Sequence, residues 1–236
     1  MTKVLGCFKT VAQLTIAGIK TIFKKRKNGT RIYILSFATI FIVFLGVENA
    51  VRTIDYLFYR LQYLLTDSSY SNLTTLQTTL KLFCQVVLVP FLSGYLEWRD
   101  TTILLVAISC TILSQFGTAL LSQLWALYLG YVLNMLWNSI TTTARSNMSK
   151  LMESNEIGKA FTFLAIFTGI IPIATKPFFA FLYKNTLETF PGAYKILSAS
   201  LYLGILLIIL LTHFGLKRLE KPNSPAVNQE ETESKV

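Results

Sequence analysis

The sequence predicts an all-α membrane protein with six transmembrane helices and both termini in the cytoplasm. Three observations carry that reading. Of 236 residues, 53% are hydrophobic and only 14% charged, with a mean hydropathy of +0.52, whereas soluble domains average about 25% charged residues. Apolar blocks of about twenty residues, each able to cross ~30 Å of hydrocarbon as a helix, recur with polar breaks between them. Backbone polar groups in lipid must be satisfied within the segment, so such blocks are helices. The net charge of +10 is also unevenly placed. In a soluble domain it would suggest nucleic acid; here it follows the loops and reads as topology, with no nucleic-acid partner expected.

Residues 1–31 carry Lys3, Lys9, Lys20, Lys24, Lys25, Arg26, Lys27 and Arg31 and no acidic residue. Val4, Phe8, Val11, Leu14, Ile19, Ile22 and Phe23 keep roughly helical spacing among them. Lys9, Gln13 and Lys20 break the apolar run, which excludes a span and argues against a secretory signal. The segment reads as a basic amphipathic helix on the cytoplasmic face. A mitochondrial presequence has a similar acid-free composition, but no cleavage signal stands out.

The six-span bundle is expected within 32–216. The first span, from Ile32 to about Val51, is apolar until Glu48 and Asn49, and the longest connection follows, Arg52 to Thr75. The second runs from about Leu76 to Leu96, with Lys81 and Gln85 near its start. The link 97–100 leads to the third, Thr101 to Leu121, and Ser122-Gln123 to the fourth, Leu124 to about Thr143. A charged loop through Lys159 precedes the fifth, Ala160 to Tyr183, which Gly169, Pro172, Lys176 and Pro177 interrupt. The sixth is about Ala193 to Phe214 and the most uniformly apolar. The tail 217–236 is polar, with Pro222 and Pro225, and reads as a disordered cytoplasmic end.

Six spans place both termini on one side, and sixteen of the 22 Lys and Arg fall on that side, in 1–31, 97–100, 144–159 and 215–236. That side is therefore cytoplasmic. The sequons at Asn28 and Asn147 fall inside, whereas Asn72-Leu73-Thr74 faces out as a glycosylation acceptor.

The strongest candidate for chemistry is the fourth span. Tyr131, Asn134, Asn138, Thr141 or Thr142, and Arg145 recur in steps of three and four, which puts them on one helix face. A polar face within lipid has to meet protein or water. It is either one wall of a solute pathway ending at Arg145 or glue between helices. Lys176, between Pro172 and Pro177, either snorkels outwards or borders a substrate site in a broken helix. Glu48 has Arg52 at i+4: an interfacial ion pair, or a carboxyl for proton coupling. Lys81 and His213 read as interfacial groups. The three cysteines, Cys7, Cys84 and Cys110, lack metal-ligand spacing, and a single histidine removes most metal and acid–base arrangements. No cofactor, metal or enzyme activity is expected.

Arg145-Ser146-Asn147-Met148-Ser149-Lys150-Leu151 with Glu156-Ile157-Gly158-Lys159-Ala160-Phe161 resembles the linker before the penultimate span in solute carrier family 46. That family comprises the proton-coupled folate transporter and its relatives, within the major facilitator superfamily. Phe190-Pro191-Gly192-Ala193 and Lys25-Arg26-Lys27-Asn28-Gly29 are similar too, and Gly94 to Asp100 loosely resembles the superfamily's signature loop. The resemblance covers nearly the whole chain, as the C-terminal six-span half of a family member.

It implies two three-helix inverted repeats, with spans one and four lining a central cavity and spans three and six facing lipid. It also puts Arg145 where the family has an arginine tied to substrate or proton handling. The expected function is secondary transport of small organic solutes, by the family's pattern anionic, with protons coupled through Glu48 and Arg145. The chain departs from folate-transporting members at Phe44-Leu45-Gly46, where they carry a histidine. Alternating access rocks one half against another, so the resemblance also implies a partner: an N-terminal six-span half, or a second copy. The expected compartment is the plasma membrane rather than the lysosomal membrane. The competing expectation is a non-transporting multi-pass protein whose polar face serves helix packing or partner binding.

Overall fold

The computed structural model describes residues 13, 15–24, 30–95, 98–121 and 123–219, with the main chain alone for 216–219. Among these residues the regular structure is helical throughout, with no strand. We number the helices α1 (Thr30–Gln62), α2 (Asp67–Gly94), α3 (Asp100–Leu120), α4, α5 (Ser154–Thr186) and α6 (Ala193–Leu219). α4 is composite: Leu124–Leu133, a 3-10 turn Asn134–Leu136, then Trp137–Lys150. A further helical segment, residues 15–23, leads into α1.

Five helices, α1, α2, α3, α5 and α6, are long and apolar enough to cross a membrane. The fourth expected span is the exception. Leu124–Leu133 is apolar, but Trp137–Lys150 is dominated by Asn, Ser, Thr and the two cations Arg145 and Lys150. Its polar stripe removes it from the hydropathy criterion.

Helix ends differ from the sequence expectation, for local reasons. The connection expected over Arg52–Thr75 shrinks to residues 63–66, because α1 continues to Gln62. Its charges lowered the hydropathy without breaking the helix. Leu64 turns the chain with φ of 51°, and the Thr66 side chain caps α2 by accepting from the Ser69 amide at 3.3 Å. The charged loop before α5 likewise shrinks to 151–153. Pro172 and Pro177 lie inside an unbroken α5 rather than interrupting it. Each forfeits one backbone bond without ending the helix. In α2, Cys84–Leu88 forms a π turn just before Pro90, a common accommodation near a residue without an amide proton.

α1 is the spine. It buries Ile34, Phe37, Phe41, Phe44, Val47, Val51 and Phe58 in the common core. The heaviest packing pairs α3 with α6 and α1 with α5. α4 packs on α1 and α3, and α1 on α6. Gly46 permits the α1–α5 contact: a Cβ there would overlap Ile171 Cγ2, and the Gly46 carbonyl accepts from Thr175 at 3.1 Å. Gly130 does the same for α4 against Thr118 of α3. α2 and α5 are the most peripheral, with 11% and 17% of their apolar windows buried, against 56% for α3. The third helix is thus more enclosed than the family pattern implied. α6 does expose Leu203, Leu207 and Leu211 along one face.

The leading segment docks on the start of α5. A Cβ on Gly18 would lie 2.6 Å from Phe163 Cβ, and Lys24 Nζ sits 2.6 Å from Glu156 Oε1. Thr21 and Ile22 are buried, while Ile16, Ile19 and Phe23 are exposed. Residues 1–12, 14 and 25–29 of the 1–31 segment and the tail beyond Leu219 lie outside the described residues.

Candidate functional site: a charged cavity between the helices

Five helices bring polar side chains to a cavity of about 400 Å³ near the α1–α2 turn. From α1 come Glu48, Arg52, Asp55 and Tyr59, at steps of three and four on one face. α2 supplies Tyr70, Thr74, Gln77, Thr78 and Lys81 in the same rhythm. Ser114, Gln115 and Thr118 come from α3, Tyr131, Asn134, Trp137 and Asn138 from α4, and Lys195 from α6. Leu82 is the single aliphatic liner among the described residues. Charge inside a bilayer-spanning bundle is costly, and it concentrates where solutes or ions pass.

The charges are mostly paired. Lys195, 2% exposed, donates to the Tyr59 hydroxyl at 2.8 Å and to Thr118 Oγ1 at 3.3 Å, with Asp55 Oδ1 at 3.3 Å. Asp55 also accepts from the Tyr194 hydroxyl at 2.8 Å. This network ties α1, α3 and α6 together. Arg52 reaches Glu48 at 3.5 Å, and its guanidinium lies 5.7 Å from the Trp137 ring centroid. Lys81 has a different environment: it is 6% exposed, its ammonium stands 4.7 Å from the Trp137 ring centroid, and no carboxylate lies within 4 Å among the described residues. At the rim, just beyond α1, the Tyr63 hydroxyl donates to the carbonyls of Leu121 at 2.8 Å and Thr118 at 3.2 Å. Burial and the nearby Asp55 carboxylate push its pKa up to about 12.

The fourth-span stripe divides here. Tyr131, Asn134 and Asn138 stand on the cavity wall, as does Glu48 of α1. Asn134 also accepts from Thr111 of α3 at 3.2 Å, so one residue serves both wall and helix contact. Thr141, Thr142 and Arg145 continue along α4 away from the cavity. Thr142 Oγ1 accepts from Gln85 Nε2 at 3.5 Å, and the exposed Arg145 guanidinium sits 4.4 Å from the Phe41 ring centroid. Lys176 is exposed on α5, outside the cavity lining. Asn72 is exposed on the early turns of α2, a helix rather than the loop its sequon suggested.

Three cavity charges escaped the sequence reading. Lys81 read as interfacial, Asp55 fell within the expected connection Arg52 to Thr75, and Lys195 at the start of the expected sixth span. For Lys81 a signal existed: Thr74, Gln77 or Thr78, Lys81 and Gln85 repeat the spacing used to pick out the α4 stripe. For Asp55 and Lys195, 140 residues apart in sequence, only the fold brings them together.

No protein-family model matches the chain. A curated relative, the probable peptidoglycan muropeptide transporter SLC46 of Drosophila melanogaster, is 21% identical over 198 residues, covering 82% of this chain and 38% of the relative. The chain thus spans well under half the length of the curated relative it matches. This distant similarity is to a protein described as a probable transporter, and the five long apolar helices fit a membrane-embedded chain.

Proposed function

We propose that the chain is one six-helix half of a secondary transporter for small polar organic solutes, of the solute carrier family 46 type. The observation that carries this is the cavity of about 400 Å³, walled by five charged side chains and set largely among helices apolar enough to cross a membrane. The packing pattern supports two inverted three-helix repeats. Exchanging α1–α3 with α4–α6 maps the α1–α5 contact onto α4–α2 and α1–α6 onto α4–α3. It maps α1–α4 and α3–α6 onto themselves, as a pseudo-two-fold requires. In this reading α4 is the sixth span, tolerated despite its polarity because its stripe faces protein and cavity. The charge asymmetry then keeps both termini in the cytoplasm and sets the cavity in the outer half.

The relative's printed substrate, a peptidoglycan muropeptide, makes a carboxylated organic solute the first to test here. Arg145 serves as the cytoplasmic mouth of the pathway, Lys176 borders it on the partner side, and Glu48 carries the coupled proton. A second wall comes from an N-terminal half or from a second copy, which also covers exposed Arg145 and Lys176. The packing alternative accounts for the Asn134–Thr111 bond but leaves the charged cavity without a use.

Uptake into proteoliposomes tests the proposal, with this chain alone and with an N-terminal half. Arg145→Ala and Asn138→Leu should each reduce uptake, and Glu48→Gln should abolish its dependence on a proton gradient. Unchanged uptake in the first two would sink the pathway. At the cell surface, enzymatic deglycosylation should shift the wild-type band but not that of Asn72→Gln.

A further inference from the structure

We infer that Lys81, buried on the cavity wall with no carboxylate in contact among the described residues, is the anchor for the carboxylate of a singly charged polar organic acid. The inference rests on the cavity being the solute site and specifies which residue grips the solute and how much charge it accepts. The wall carries two carboxylates, Glu48 and Asp55, and three cations, Arg52, Lys81 and Lys195. Arg52 is matched to Glu48 at 3.5 Å and Lys195 to Asp55 at 3.3 Å. Lys81 touches neither carboxylate: it is almost wholly buried on the cavity wall, its ammonium 4.7 Å from the Trp137 ring centroid, and it feels the Glu48 charge only at longer range.

A cation over an indole recovers part of the hydration an ammonium loses on burial, but not a counter-charge. One monoanion would restore neutrality across the wall. With Glu48 ionised, before it takes up the coupled proton, a dianion would leave a negative charge uncompensated beside Glu48 and Asp55. The surrounding Gln77, Thr78 and Asn138 offer amide and hydroxyl groups, which suits a hydroxyl- or amide-rich acid rather than a fatty one.

A ligand anchor and a structural residue make opposite demands on stability. If Lys81 is held for a ligand, removing it relieves the empty protein while crippling binding. If it only supports the fold through Glu48 and Trp137, removing it destabilises the protein and leaves binding alone. The experiment uses the purified chain in nanodiscs, with gluconate as monoanion, glucarate as dianion and sorbitol as the neutral analogue.

Gluconate should raise the melting temperature of the wild type, with glucarate weaker and sorbitol inert. Lys81→Met and Lys81→Gln should melt at or above the wild type without ligand, and bind gluconate at least about thirtyfold more weakly. Lys81→Arg should retain most of the gluconate shift. The inference is overturned if gluconate gives no shift in the wild type, if glucarate binds more tightly, or if both neutral variants melt lower and still bind gluconate. Uptake by the same variants separates the two claims. Lys81-dependent gluconate binding without any transport removes the transport reading alone. Transport that survives Lys81→Met removes the anchor alone.

Discussion

Removing Asp55 should be far more damaging than removing the lysine it faces. In Asp55→Ala the Lys195 ammonium, 2% exposed, keeps its bonds to Tyr59 and Thr118 but loses the carboxylate at 3.3 Å. Two unit charges at that separation attract by about 5 kcal/mol at an effective dielectric of about 20. The Tyr194 hydroxyl also loses its acceptor, a further cost of about 1 kcal/mol. Partial relaxation trims the sum, and stranding a buried ion typically costs about 3–5 kcal/mol, the loss expected here.

In Lys195→Met the survivor is better off. The Asp55 side chain is 20% exposed and keeps the Tyr194 donor, so the loss should be nearer 1–2 kcal/mol, on the scale of about one or two hydrogen bonds. The double variant should resemble Lys195→Met, so the coupling equals the Asp55→Ala loss, about 3–5 kcal/mol. Reversible unfolding of the purified chain in mixed micelles, followed by circular dichroism, measures all three. Equal losses for the two single variants, or strict additivity in the double, would refute the buried-pair account of this network.

Other perturbations test separate parts of the fold. Gly46→Ala should destabilise by about 1–3 kcal/mol, since its Cβ meets Ile171 where α1 and α5 are closest, and chemical denaturation reads it directly. Leu64→Asn should gain about 0.5–1 kcal/mol, because Leu64 is exposed with a φ of 51° and asparagine tolerates that conformation better. The Tyr63 hydroxyl ionises near 10 when unfolded and at about 12 when folded. The folded state therefore holds the proton longer, and stability is full below pH 10 and falls through pH 10–12. Tyr63→Phe should remove that component of the slope, visible as a smaller loss of melting temperature between pH 9.5 and 11.

The helical class and five of the six expected spans were readable because crossing lipid imposes length and polarity together. The α4 stripe was readable because one helix carries it whole. Helix boundaries were less so. Arg52, Asp55 and Arg60 lower the hydropathy of α1 exactly as a loop would, yet Asp55 answers Lys195, Arg52 answers Glu48 and Arg60 reaches the Tyr56 hydroxyl. A charge that a helix can satisfy along its own face or across an interface looks, in one dimension, like the end of the helix. The Asp55–Lys195 pair has no local trace, since its members come from the first and last helices. Lys81 is easily overlooked for a different reason: at the edge of an apolar block it reads as a snorkelling cation unless the polar spacing from Thr74 to Gln85 is taken with it.

The π turn at Cys84–Leu88 bears on how this chain compares with its relatives. A π turn holds one residue more than the helix around it needs, and one residue is worth about 100° of rotation. A relative that crosses the same distance with a regular helix would align to α2 only through a one-residue gap inside a membrane span. An alignment that forbids the gap would match the stripe from Thr74 to Lys81 or the stretch from Val89 to Gly94, but not both. Sequence identity across this helix therefore understates structural kinship, and single-residue deletions between 84 and 88 should be better tolerated than deletions elsewhere in α2.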